Sequence, residues 1–195
     1  YMPDRPYDQS GFVVSNGVSG FSSQAAIVTS PGYQYITLYS GDSYSAGIHR
    51  ISLDWEMLEL DGSEPLQSAL DIQFVNGPSI FVRYGLDQTI VIDDASPGLT
   101  NVGTYAVGQV YEFDAIVNLD LDTYNFFIDG TQVLNSRPID MNDELRNAGI
   151  LRPFGTATIA VDNMQWEIIP EPSSLILVIL GFVGVLAAKI MNARK

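Results

Sequence analysis

Four dipeptides, Asn16-Gly17, Asp61-Gly62, Asn76-Gly77 and Asp129-Gly130, cut residues 11–169 into short runs that alternate apolar and polar side chains. Asn, Asp and Gly tolerate the positive φ that two-residue hairpin turns demand, so this punctuation restricts the chain to short antiparallel strands. The clearest hairpins are ALDIQFV-NG-PSIFVRY and TYNFFI-DG-TQVLNS. In QVYEFDAIV, Tyr111, Phe113, Ala115 and Val117 share one face while Glu112 and Asp114 share the other. HRISLDWEM repeats the pattern, with Ile51, Leu53, Trp55 and Met57 set against Ser52, Asp54 and Glu56. Each such strand has one dry face and one wet face.

Roughly eleven short strands and one short helix follow from this pattern. The helix is expected over residues 142–148, with Asn142 as its cap and Gly149 as its stop. Many strands without long intervening helices argue for an all-β fold, an antiparallel two-sheet sandwich of the jelly-roll kind, rather than a parallel α/β sheet. In TATIAVDNMQWEII the apolar phase changes at Asp162-Asn163, from Ile159 and Val161 to Met164, Trp166 and Ile168. That change predicts a bulge that re-aims the last strand. Residues 1–10 carry two Pro and no strand pattern and are read as an extended arm, leaving residues 11–169 as the domain.

This domain is acidic. Residues 1–169 hold six Arg, no Lys and 22 acidic side chains, a balance of −16, whereas residues 170–195 stand at +2. Such a field repels phosphate backbones, which sets nucleic acid aside as a partner and favours cations or basic proteins. Without cysteine there are no disulfides, thiolate zinc sites or cysteine nucleophiles. His49 is the only histidine, so most metal and triad arrangements fall away, and it is read as a surface or satisfied sheet residue. No Gly-rich phosphate loop occurs.

Three groupings could carry chemistry. Asn118, Asp120 and Asp122 gather at one turn, and Asp93 and Asp94 at another, supplying oxygen ligands of the type calcium takes, although solvated turn acids explain them better. Asp54 and Glu56 lie on one strand face about 6.5–7 Å apart by strand rise, within the range glycosidase carboxylates use, but wet-face acids account for them. Ten Tyr and two Trp leave room for a sugar-binding surface, although most alternate into strands as core. No catalytic residue and no cofactor follows from these residues, with calcium at Asn118, Asp120 and Asp122 as the one ion considered.

The chain closes on IPEPSSLILVILGFVGVLAAKIMNARK. Residues 175–188 are all apolar or Gly, and Ile168, Ile169, Ile190 and Met191 lengthen the run toward the roughly 20 residues a membrane span needs. Lys189 can snorkel, Trp166 stands where an interfacial anchor would, and Pro170 and Pro172 allow a helix to start at Ser173 or Ser174. A single C-terminal transmembrane helix is therefore expected. Lys189, Arg194 and Lys195 lie beyond the run, so the positive charge keeps the C-terminus cytoplasmic and leaves the acidic domain outside. Gly181, Gly184 and Ala188 offer a small-residue face to another helix. The sequence opens at Tyr1, and a cleaved export signal is expected upstream.

The order Pro170-Glu171-Pro172, Ser173, an apolar helix containing LGFVGV and a short basic end resembles the PEP-CTERM sorting signal of bacterial exported proteins. The resemblance implies export, anchoring in the inner membrane, periplasmic placement of the domain and often later release by exosortase toward the surface or the exopolysaccharide. The tip reads NARK where the family carries an Arg-rich cluster. YEFDAIVNLDLDTYNFFIDGTQV followed by GTATIAVDNMQWEI is similar to the late strands of laminin-G-like and concanavalin-like sandwiches. Taken together, these features lead to the expectation of a non-enzymatic, membrane-anchored periplasmic accessory subunit of a respiratory or photosynthetic inner-membrane complex. Its partners would be the bilayer, other integral membrane subunits and a basic soluble carrier. The alternative is a surface or exopolysaccharide-associated protein of the sorting-signal class that binds polysaccharide.

Overall fold

The structure is a computed structural model, and it describes residues 12–16, 21, 24–28, 34–60, 66–75, 79–94, 98–139, 144–152 and 157–170. The expected arm lies outside the described residues. So does the tail after Pro170, with Glu171, Pro172, Gly181, Gly184, Ala188, Lys189, Arg194 and Lys195, and so do the Asp61-Gly62 and Asn76-Gly77 turns.

Every regular element among the described residues is a strand. In chain order they are β1 (Phe12–Asn16), β2 (Gln24–Val28), β3 (Gln34–Tyr44), β4 (Ile48–Glu59), β5 (Leu66–Phe74), β6 (Ile80–Gly85) and β7 (Thr89–Asp93). There follow β8 (Thr100–Thr104), β9 (Val110–Asn118), β10 (Thr123–Ile128), β11 (Thr131–Pro138), β12 (Leu145–Arg152) and β13 (Thr158–Ile169). They form an antiparallel two-sheet sandwich, as the alternation predicts. One sheet runs β1-β2-β13-β4-β9-β10-β11 and the other β3-β12-β5-β6-β7-β8. Among the described residues no helix is long and apolar enough to cross a membrane.

The inner faces follow the sequence pattern. Ile51, Leu53, Trp55 and Met57 of β4 and Tyr111, Phe113, Ala115 and Val117 of β9 all enter one buried cluster, together with Leu70, Ile72 and Phe74 of β5 and Val82 and Tyr84 of β6. Trp55 is fully buried and sits 5.6 Å from the Phe113 ring, stacked, and 5.3 Å from the rings of both Tyr84 and Tyr105. Each large aromatic buried this way contributes about 2–3 kcal/mol of transfer free energy, and the offset and edge geometries add to it. Both expected hairpins form, β5 with β6 and β10 with β11. At the second, Asp129 and Gly130 take φ of 51° and 70°, the paired positive values that the tight turn requires.

The bulge also forms. Asp162 lies opposite Asp54 but Gln165 lies opposite Ser52, so β13 carries one extra residue there, and Asn163 takes φ of 49°. The expected helix does not form in its described part: residues 145–148 open β12, which pairs β3 on one side and β5 on the other. A helix of seven residues has little stability of its own, whereas as a strand this stretch buries Leu145, Ala148 and Ile150 and satisfies two ladders. Trp166 is half-buried against the sandwich, donating Nε1–H to His49 Nδ1 at 3.1 Å, rather than standing free as an interfacial anchor.

A polar clamp joins the sheets at one end. Asp94, which follows β7, accepts from Tyr124 Oη of β10 at 2.6 Å and from Arg137 Nε of β11 at 2.7 Å, while Arg137 Nη2 reaches Asp94 Oδ1 at 3.1 Å. Asp94 is buried, so removing its cation strands a carboxylate. Arg137→Ala is expected to lower unfolding free energy by about 3 kcal/mol, read as a shift of the urea midpoint.

Candidate functional site

The inner faces are filled with apolar side chains, so chemistry must lie on the outer faces. On the six-stranded sheet, Asp71 and Gln73 alternate outward from Leu70, Ile72 and Phe74, while Phe81 and Arg83 alternate outward from Val82 and Tyr84. Register brings them together. Asp71 lies opposite Phe81 of β6 on one side and Gly149 of β12 on the other, while Gln73 lies opposite Asn147.

A relay of amides crosses this face. Asn147 Nδ2 donates to Gln73 Oε1 at 3.4 Å, and Gln73 Nε2 donates to Asp71 Oδ2 at 2.6 Å. Arg83 lies 4.8 Å from the Phe81 ring centre and pairs through Nη2 with Asp93 Oδ2 at 2.8 Å. Three buried polar atoms here have no hydrogen-bond partner: Asp71 Oδ1, Asn147 Oδ1 and Arg83 Nε. Buried polar atoms are almost always paired, and each one left bare costs about 1–3 kcal/mol, so these three stand out as polar groups on this side of the sheet whose bonding is incomplete. Asp71 is wholly buried, while Gln73, Phe81, Arg83, Asp93 and Asn147 form a half-buried rim around it. Burial pushes the Asp71 carboxyl up to about 7, even though the Gln73 hydrogen bond and the Arg83 guanidinium pull it down. A carboxyl poised there can give or take a proton near neutral pH.

The seven-stranded sheet presents a different outer face. An open groove of about 390 Å³ is lined by Arg50, Ser52, Leu53, Asp54, Glu112, Asn163 and Gln165. Its charges answer one another: Arg50 Nη2 meets Asp114 Oδ2 at 2.9 Å and Glu112 Oε1 at 3.7 Å, and Asn163 Nδ2 donates to Asp54 Oδ2 at 2.7 Å. Asp114 Oδ1 is the one unpartnered atom beside it. The carboxylates of Asp54 and Glu56 are not brought together. Asp54 lines the groove opposite Glu112, whereas Glu56 is wholly buried with both oxygens unpartnered, and burial raises its carboxyl.

At the calcium candidates, Asn118 Oδ1 accepts from the backbone N–H of Asp120 and of Leu121, both at 3.1 Å, and Asp120 Oδ1 accepts from Gly47 N at 3.1 Å. Asp122 takes φ of 51° in the same turn. These side chains brace the turn, and no group of three or more His, Asp or Glu among the described residues is placed to hold a metal. Asp93 and Asp94 separate, one to Arg83 and the other to Arg137. His49 is a satisfied sheet residue, fully buried: Nδ1 accepts from Trp166, which leaves Nε2–H to donate to Ala46 O at 3.2 Å. Burial lowers its pKa.

Sequence reasoning missed Asp71, Gln73, Arg83 and Asn147. The alternation in ALDIQFV and PSIFVRY puts the first three on outer faces, and the hairpin register sets Asp71 opposite Phe81 and Arg83 opposite Ser68. Asn147 was hidden by the expected helix.

No protein-family model matches the sequence, and no functionally described protein does. Solved structures do match in fold. An alginate lyase of polysaccharide lyase family 7, AlgAT5, superposes with TM-score 0.65 at 10% identity, over 85% of this chain and 85% of that one. The family 7 alginate lyase A1-II' gives 0.64 at 12% identity, over 85% and 86%. A sialidase gives 0.56 at 11% identity over 82% of this chain, which spans 17% of that protein's length. At such identities the likeness carries the architecture and not the residues. It nonetheless overturns the expectation of a non-enzymatic accessory subunit of a membrane complex, because the architecture shared is one on which solved polysaccharide lyases are built.

The raised Asp71 value makes this carboxyl a pH-dependent load on the fold. Well below pH 4 it is neutral whether folded or unfolded; as pH rises from about 4 to about 7 the unfolded chain is ionised while the folded one holds its proton, and stability falls. Asp71→Asn should therefore be more stable than the parent by about 2–4 kcal/mol near pH 8, with the difference vanishing near pH 4. Urea midpoints at the two pH values check this. His49 works with the opposite sign, losing stability as pH falls below about 6.5, and cancels because both proteins retain it.

Proposed function

We propose that this protein is a polysaccharide-directed protein of the bacterial cell surface that engages its ligand on the outer face of the six-stranded sheet. The observation that carries the reading is the set of unpartnered buried atoms on Asp71, Arg83 and Asn147, three residues that alternate onto the outer side of the six-stranded sheet. Sugar hydroxyls donate and accept at once, and so can satisfy all three. In this reading Asn147 and Arg83 fix hydroxyls and Gln73 orients Asp71, whose carboxyl exchanges a proton with the bound sugar. The likeness in fold to alginate lyases supports polysaccharide as the ligand class.

The tail supports the address. Pro170-Glu171-Pro172, the apolar run of residues 175–188 and the basic Lys189, Arg194 and Lys195 compose the PEP-CTERM-like element that exports the domain, anchors it in the inner membrane and hands it on toward the exopolysaccharide.

Affinity electrophoresis in polysaccharide gels tests the site. Asn147→Ala is expected to weaken binding about tenfold, about 1.4 kcal/mol, and Gln165→Ala in the opposite groove to leave it unchanged. The reverse outcome would move the site to the seven-stranded sheet. Mass spectrometry of protein released from cells tests the tail: the mature form is expected to end close to Pro172, and an intact tail in the released form would contradict sorting by cleavage.

A further inference from the structure

The exposed apolar side chains are gathered at one end of the sandwich. Antiparallel pairing brings the last residues of β3, β5, β9 and β13 to that end, together with the first residues of β4, β6, β10 and β12. The two sheets meet there through the Tyr44 ring, 4.8 Å from His49 and 5.6 Å from Trp166, and through Asp94, which follows β7 and holds Tyr124 and Arg137. Of the five exposed large apolar side chains among the described residues, four lie at this end: Val75 after β5, Leu99 before β8, Leu121 between β9 and β10, and Ile168 in the last turn of pleat of β13. Only Val107, before β9, stands at the other.

The turn that presents Leu121 is braced. Asn118 Oδ1 accepts from the Leu121 N–H at 3.1 Å, Gly47 O accepts from the Leu119 N–H at 2.9 Å, and Asp122 O accepts from the Ile139 N–H at 2.8 Å, yet Leu121 itself is 70% exposed. Single apolar side chains in water need no explanation, but four at one end make a surface that an apolar partner can cover.

By this end the chain also leaves the domain. Five residues, 170–174, separate Ile169 at the close of β13 from the apolar run that begins at Leu175, a span of at most about 20 Å even when fully extended. Val107 lies a strand's length farther off, since the nine residues of β9 extend about 27 Å. The acids here are partly engaged, Asp93 with Arg83, Asp94 with Arg137 and Asp120 with Gly47 N, and Arg146 is exposed beside them. Asp122, Glu144 and Glu167 add negative charge, which suits electrically neutral headgroups better than anionic ones.

We propose that this end of the sandwich rests on the surface of a zwitterionic bilayer, with Val75, Leu99, Leu121 and Ile168 entering the headgroup region and the strands standing away from it. This rests on the anchoring reading of the tail and adds a second membrane contact to it. Both outer faces of the sandwich then stay open to the side while the tail is attached.

The sequence has no cysteine, so one can be introduced at a time and labelled with an environment-sensitive fluorophore. Full-length Leu99→Cys, Leu121→Cys and Val107→Cys, and Val183→Cys within the apolar run, are placed in phosphatidylcholine nanodiscs, one chain to a disc, with and without lipids carrying nitroxide quenchers at headgroup and mid-chain depth. The labels at 99 and 121 are expected to lose about half their emission to the headgroup quencher and the label at 107 to lose none, as an interfacial contact of one end requires. If 99 and 121 stay as bright as 107 while 183 is quenched, this inference falls and the anchoring reading stands. Equal quenching at 107 would lay the sandwich flat and overturn the inference as well, and an unquenched label at 183 would overturn both readings.

Discussion

Burial of Trp55 between the two sheets is the constraint from which the rest follows. Its ring is closed in by Phe113 from the neighbouring strand of its own sheet and by Tyr84 and Tyr105. Filling that space commits β4, β6 and β9 to one phase each, and because side chains alternate, the phase of the inner face fixes the outer one. Arg50, Ser52 and Asp54 therefore face out on one side of the molecule, and Asp71, Gln73, Phe81 and Arg83 on the other. A slip of one residue would exchange core for surface on every strand.

The two outer faces obey different electrostatics. Across the seven-stranded sheet Arg50 pairs with one oxygen of Asp114 and approaches Glu112, and the bulge at Asp162 turns Asn163 onto Asp54, while Asp114 Oδ1 and both oxygens of buried Glu56 stay unpartnered. Across the six-stranded sheet Asp71 is buried beside amides that use their N–H groups on each other and on one carboxylate oxygen. Acceptors are left over. Proteins seldom leave such atoms bare where a side chain could pair them.

Architecture and chemistry separate here. The sandwich superposes on alginate lyases over most of both chains, yet at 10–12% identity nothing in the superposition transfers a residue. Fold sets where a ligand can lie, and the side chains that the pleat happens to turn outward set which ligand it is.

Alternating apolar residues in HRISLDWEM and QVYEFDAIV, the Asp129-Gly130 turn and the phase change at Asp162-Asn163 were sufficient to state the sandwich, its hairpins and its bulge, because each depends on neighbours within a few residues. The acidic charge and the apolar tail were equally plain. Residues 145–148 misled, since their local preference is weak and pairing with β3 and β5, more than 70 residues away, decides their state. Asp71 shows the same limit at the site. Its outward direction can be read from ALDIQFV, but its complete burial, its relay through Gln73 to Asn147 and its elevated carboxyl exist only once β12 lies beside β5. Local backbone chemistry is written in the sequence; desolvation and hydrogen-bond satisfaction depend on what distant strands bring alongside, and only the packed sheets decide them.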